Sequence, residues 1–239
     1  MTPLLLILSM TACLATLAGG FVMLRYHEAQ HYFFAFSAGS LIAVAFLDLL
    51  PESLTLGGAL GMPARIPLAV MVASFFLYSL VDRFFPTHHF HEDDAHGHPM
   101  GVIGASSLVA HSCLDGVAIG IAFQASSAVG AIVASAVIAH DMTDGLNTVV
   151  VLLKNHHSAS KAKFFLGLDA LAPVLGVFVG SWIALPQAWL VYLLAFFAGE
   201  FLYLGAGSLL PETRRSGSWG MMAVMLLGAA FIGVLSVSL

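Results

Sequence analysis

Apolar residues run along almost the whole chain, and polar and turn residues cut them into eight blocks. The blocks cover approximately 3–24, 32–50, 66–81, 102–123, 127–153, 164–184, 188–210 and 217–239. A spanning helix needs about 20 mostly apolar residues, and the blocks supply that length repeatedly. The pattern predicts an all-α fold, a polytopic membrane bundle of eight transmembrane helices. Short connections make sequential helices antiparallel neighbours. The whole of 1–239 reads as a single transmembrane domain, interrupted by one polar loop over 84–101. The first block has no Lys or Arg before it, whereas a secretory signal wants a basic start, so it is expected to be a retained helix.

Composition strengthens this picture. The chain is 59% hydrophobic and only 9% charged, against roughly 25% charged in soluble domains. So few charges cannot cover a water-facing surface. The net charge of −5 is small, and there is no basic run of the kind that binds nucleic acid. Cys13 and Cys113 both fall in apolar blocks and offer neither a disulfide framework nor a C-x-x-C metal pair.

Basic residues set the expected orientation. With the N-terminus outside, the loops after segments 1, 3, 5 and 7 face the cytoplasm. They carry Arg25, Arg83, Lys154, Lys161, Lys163, Arg214 and Arg215, while the outer connections carry only Arg65. Both termini are therefore expected outside. An internal repeat follows. Segment 2 contains Ala38-Gly39, then Leu49-Leu50-Pro51-Glu52. Segment 7 contains Ala198-Gly199, then Leu209-Leu210-Pro211-Glu212, at the same spacing. The copies lie five helices apart, and an odd offset reverses direction across the bilayer. Helices 1–3 and 6–8 thus form an inverted repeat, an arrangement typical of transporters.

Ionisable groups at the centre of a membrane helix are costly and usually mark a pathway or site. Segment 4 holds His111-Ser112-Cys113-Leu114-Asp115-Gly116, and segment 5 holds His140-Asp141-Met142-Thr143-Asp144-Gly145. In each, His and Asp stand at i and i+4 and project from one helix face. Ser112 and Asp141 border that face, and Asn147 extends the segment 5 stripe. The glycine after each aspartate would let the two helices approach closely. No Lys or Arg lies inside the membrane to pair these acids, so a divalent cation is the natural partner. Imidazole and carboxylate suit zinc, iron or manganese. Asp169 in segment 6 is a further candidate ligand, or a boundary residue. Asp48 and Glu200 either line a path or cap helices, and Glu52 and Glu212 sit at solvated helix ends. The loop between segments 3 and 4 concentrates His88, His89, His91, His96 and His98 with Glu92, Asp93 and Asp94, a chelating tract.

These features resemble the ZIP family (Zrt/Irt-like proteins) of divalent-metal transporters over essentially the whole chain. The shared features are the eight helices, outside termini, the His-rich loop and the paired motifs on helices 4 and 5. The family's fourth helix typically reads His-Asn-x-Pro-Glu-Gly. His111, Ser112, Asp115 and Gly116 take those places, with Leu114 where proline stands. On helix 5, His140 and Asp141 match a polar pair and Asp144-Gly145 the Glu-Gly, with Thr143 in place of proline. The family's helix 6 glutamate aligns with Ala172 before Pro173, and Asp169 stands three residues earlier.

The resemblance implies transport of zinc, iron or manganese as substrate into the cytoplasm, without ATP and without catalysis. It also implies a multi-pass protein of the plasma or inner membrane, often a homodimer. Helices 1, 4, 5 and 6 would move as a unit against 2, 3, 7 and 8. Two other readings compete. His27-Glu28-Ala29-Gln30-His31 fits H-E-x-x-H, and Leu114-Asp115-Gly116 resembles the third-ligand motif of intramembrane zinc proteases. A cation-diffusion-type exporter also pairs His and Asp on two helices, but such proteins usually have six helices and a soluble C-terminal domain.

Overall fold

The structure is a computed structural model, and it describes residues 2–26, 30–84, 99–215 and 218–238. Among these, every regular element is helical. In chain order they are α1 (Pro3–Arg25), α2 (Gln30–Val44), a π-helical turn (Ala45–Leu49), α3 (Leu50–Ala59), α4 (Arg65–Phe84), α5 (Pro99–Ala125), α6 (Ser127–Lys154), α7 (Ala159–Gly180), α8 (Gln187–Leu202), a second π-helical turn (Tyr203–Leu209), α9 (Leu210–Arg215) and α10 (Trp219–Ser238). Among the described residues, six helical stretches are long and apolar enough to cross a membrane, and Arg65–Val81 and Trp219–Val234 are shorter apolar helices. Large apolar side chains such as Phe21, Phe76, Leu175 and Leu226 stand exposed on the outer faces. On a water-facing protein that would be an aggregation hazard, whereas on this chain it is a lipid-facing coat. The protein is a multi-pass membrane protein.

The ends follow local chemistry. Thr2, Ser126 and Ser158 cap α1, α6 and α7, each side chain accepting a backbone N–H of the first turn, which satisfies a donor that would otherwise have no partner. Pro51 and Pro211 do not end their helices as the sequence suggested. Segment 2 continues to Ala59 and segment 7 to Arg215. In both copies a π-helical turn immediately precedes the Leu-Pro step. Proline lacks an N–H and its ring collides with the carbonyl four residues back. The wider i→i+5 turn lies over that carbonyl, at Leu47 and Gly207, and the rod runs on.

The packing sorts the helices into two bundles. One contains α1, α5, α6 and α7, and the other α2, α3, α4, α8, α9 and α10. The grouping is the one the family resemblance implied. Between the bundles the main contact is α2 on α6, while α5 only grazes α8. Glycines set the closest approaches, though not between the partners expected. Gly116 faces the Pro173 carbonyl on α7, and Gly145 faces the Thr16 carbonyl on α1. The glycine after each aspartate therefore docks its helix on a third and fourth helix, not α5 on α6. Gly120 meets Val177, and Gly176 and Gly180 meet Cys113 and Val117, so α5 and α7 interlock backbone to backbone. A methyl at any of these positions would collide with main chain.

A candidate metal centre between α5 and α6

A single residue, Ser126, joins α5 to α6, so the two helices form a tight hairpin. His111 stands 15 residues before Ser126 and Asp141 15 after it. The turn therefore brings the two motifs level. α6 is the most enclosed of the spanning helices, with 83% of its span buried. That burial suits its polar face, where His140, Asp141, Thr143, Asp144, Asn147 and Thr148 are all buried.

His111, Asp115, His140 and Asp144 converge, each offering one ligand atom, and those atoms all lie within 4.8 Å of one another. Asp115 Oδ2 is 3.4 Å from His111 Nε2 and 3.0 Å from His140 Nε2. Asp144 Oδ2 is 3.9 Å from His111 Nε2 and 3.4 Å from His140 Nε2. A tetrahedral zinc site with bonds of about 2.0–2.2 Å has ligand–ligand edges of about 3.3–3.6 Å. The four histidine–aspartate distances, 3.0–3.9 Å, already stand near those edges. Three of the side chains are almost fully buried, and His111, 14% exposed, forms the accessible edge.

The second nitrogen of each ring identifies what the first can do. His140 Nδ1 lies 2.9 Å from the Ala136 carbonyl, which can only accept, so Nδ1 carries the hydrogen. A neutral His140 then points its Nε2 lone pair at two carboxylates. Lone pairs facing one another in a buried space are unfavourable unless a cation lies between them. His111 repeats the arrangement, with Nε2 toward the two aspartates and Nδ1 3.2 Å from Glu200 Oε1 on α8. Phe201 closes the site with its ring edge-on to His140, centroids 4.9 Å apart. A small cavity of about 10 Å³ adjoins it, lined by Leu41, His140, Thr143, Asp144, Asn147, Leu204 and Leu209.

The remaining candidates fall into three groups. Asp169 accepts hydrogen bonds from Ser112 Oγ at 2.7 Å and Thr148 Oγ1 at 2.8 Å, tying α7 to α5 and α6 beside the four converging side chains. Asp141 is fully buried with neither carboxylate oxygen hydrogen-bonded, and it is not among the four side chains that converge. His88, His89, His91, His96 and His98 lie outside the described residues, as do His27 and Glu28 of the H-E-x-x-H motif. Sequence reasoning left Glu200 as a path or cap residue, and its contact with His111 spans 89 positions. Its only local signal was an acid in the middle of an apolar helix.

A helical membrane bundle that buries a pair of histidines and a pair of aspartates around one point belongs to the class of intramembrane metal-handling proteins. Within that class the assignment is specific. The family model described as ZIP zinc transporter matches residues 87–236, from the His-rich loop through α10, and the chain belongs to the ZIP zinc transporter family. Its members carry divalent metal ions as substrate.

Proposed function

We propose that this chain carries divalent transition-metal ions, zinc foremost and iron or manganese next, into the cytoplasm through His111, Asp115, His140 and Asp144. The observation that carries the reading is the facing of two imidazole Nε2 atoms against two carboxylates at near-ligand separation. Ser112, Asp141 and Asp169 border the four ligands. Asp141 has unpartnered oxygens to offer a second ion, and Asp169 holds the border together through Ser112 and Thr148. The His-rich loop would receive or sense the released metal on the cytoplasmic side.

Orientation rests on the seven-to-one distribution of basic residues, with eight crossings and both termini outside. A homodimer in the plasma or inner membrane is the expected assembly. The protease reading is disfavoured because Asp115 is engaged with two histidines of a four-residue group, and His140, Asp141 and Asp144 would have no role in it. The test is uptake of zinc, manganese and iron into proteoliposomes, native chain against Asp144→Ala. Uptake lost in the variant supports a transport site on α6. Equal uptake by both removes the site assignment, and no uptake by the native chain removes the transport reading.

A further inference from the structure

Glu200 belongs to neither metal motif and to the other bundle, yet its carboxylate stands 3.2 Å from His111 Nδ1. It is 1% exposed, neither oxygen has a fully formed hydrogen bond, and the Tyr78 hydroxyl of α4 lies against the same carboxylate. A metal-ligating histidine usually hands its other ring N–H to a carboxylate or carbonyl. That partner fixes the ring and raises its basicity. His140 finds its partner one turn back in its own helix, at the Ala136 carbonyl. His111 finds its partner only across the boundary between bundles, where α5 and α8 barely touch.

We propose that Glu200 is the positioning residue for His111, so that the metal site reaches full affinity only while α5 is docked on α8. Any shift of one bundle past the other takes the carboxylate from Nδ1, and His111 becomes a loosely held, weaker ligand. His140, Asp115 and Asp144 keep their places, since all three are carried by the α5–α6 hairpin. Metal affinity is thereby tied to the relative position of the two bundles through one residue. The inference rests on the four-ligand reading above.

The test is zinc affinity of the full chain in lipid nanodiscs, with cobalt absorption as a second readout of ligand geometry. Glu200→Ala should weaken zinc binding by about 10–100-fold, the range for a lost outer partner, and alter the cobalt spectrum. Glu200→Asp keeps the charge but falls one methylene short, and should lose nearly as much. Glu200→Gln keeps an acceptor oxygen at full length and should recover most of the affinity. In the His111→Ala background, Glu200→Ala should cost nothing more, while in the His140→Ala background its full effect should persist. Unchanged affinity in Glu200→Ala and Glu200→Asp, or equal losses in both backgrounds, overturns the inference. If zinc binding is at the same time abolished by Asp144→Ala, the four-ligand site survives that outcome. Absence of zinc binding by the unsubstituted chain overturns both.

Discussion

α5 and α6 carry the same H-x-x-x-D-G motif but live in different surroundings. Most of α6 is enclosed, while only 44% of the α5 span is buried, and Leu114, within the α5 motif, is 58% exposed. The consequence appears at the second nitrogen of each histidine. On α6 the ring is braced by its own helix. On α5 it is braced by Glu200, from a helix that hardly packs on it. One half of the centre is therefore self-supporting and the other is borrowed. Two copies of one motif give two candidate ligands with different dependence on the rest of the molecule.

The comparison is broken most severely by removing what the two halves share. Asp115 Oδ2 is the nearer aspartate oxygen to the Nε2 atom of both histidines, so Asp115→Ala should abolish metal uptake and reduce affinity by more than the roughly 10–100-fold expected for losing a ligand's outer hydrogen-bond partner. Calorimetric titration with zinc checks this, and residual tight binding would show that the halves do not share a ligand. Next comes packing behind the motif. Gly145→Val puts methyl groups into the Thr16 main chain on α1, and overpacking of this kind costs typically about 1–3 kcal/mol. Its melting temperature should fall clearly, whereas Gly58→Val, where nothing lies within 4 Å of the added Cβ, serves as the quiet control.

Acid should act on both halves together. A histidine can bind metal only through an unprotonated ring nitrogen, so at the proposed site protons and metal compete. Affinity should be highest at pH 7.5 and fall steadily toward pH 5.5, and a flat profile would exclude histidine ligation. The smallest effect is expected at the other contact between bundles. Ser37 of α2 hydrogen-bonds Thr143 of α6. Ser37→Ala should cost about 0.5–1.5 kcal/mol of stability and leave zinc affinity unchanged. A large affinity loss there would mean that bundle docking in general, not Glu200 in particular, sets the site.

Much of this was legible before any coordinates, because the physics involved is local. Membrane helices announce themselves by length and apolarity, and i, i+4 spacing places His111 with Asp115 and His140 with Asp144 without further information. The family resemblance supplied the grouping of helices. What stayed hidden depends on long-range registry. The glycines after the aspartates are visible as small residues, but which helix they admit is not, and the expectation that they bring α5 and α6 together was wrong. Glu200 reads as an isolated acid until α8 is placed beside α5. The π-helical turns were invisible for another reason. They change which amide bonds to which carbonyl, and no pattern of polar and apolar side chains records that. Pro51 and Pro211 therefore looked like stops.

Those two turns carry a consequence for anyone who would edit the chain. A π-turn is what remains when a helix accommodates one surplus residue without lengthening by a full step. Removing one residue from Ala45–Leu49 would restore a plain α-helix and leave everything beyond it facing as it does now, whereas the same deletion in a plain α-helical stretch rotates the rest by about 100°. Ser53, whose hydroxyl reaches the Val191 carbonyl at 2.8 Å, would keep its place against α8. A one-residue deletion within the turn should thus be milder than one elsewhere in the same rod, which would disconnect the far end of its helix. The same arithmetic applies to Tyr203–Leu209, so that tolerance to a single deletion in these two rods should be sought at the π-helical turns.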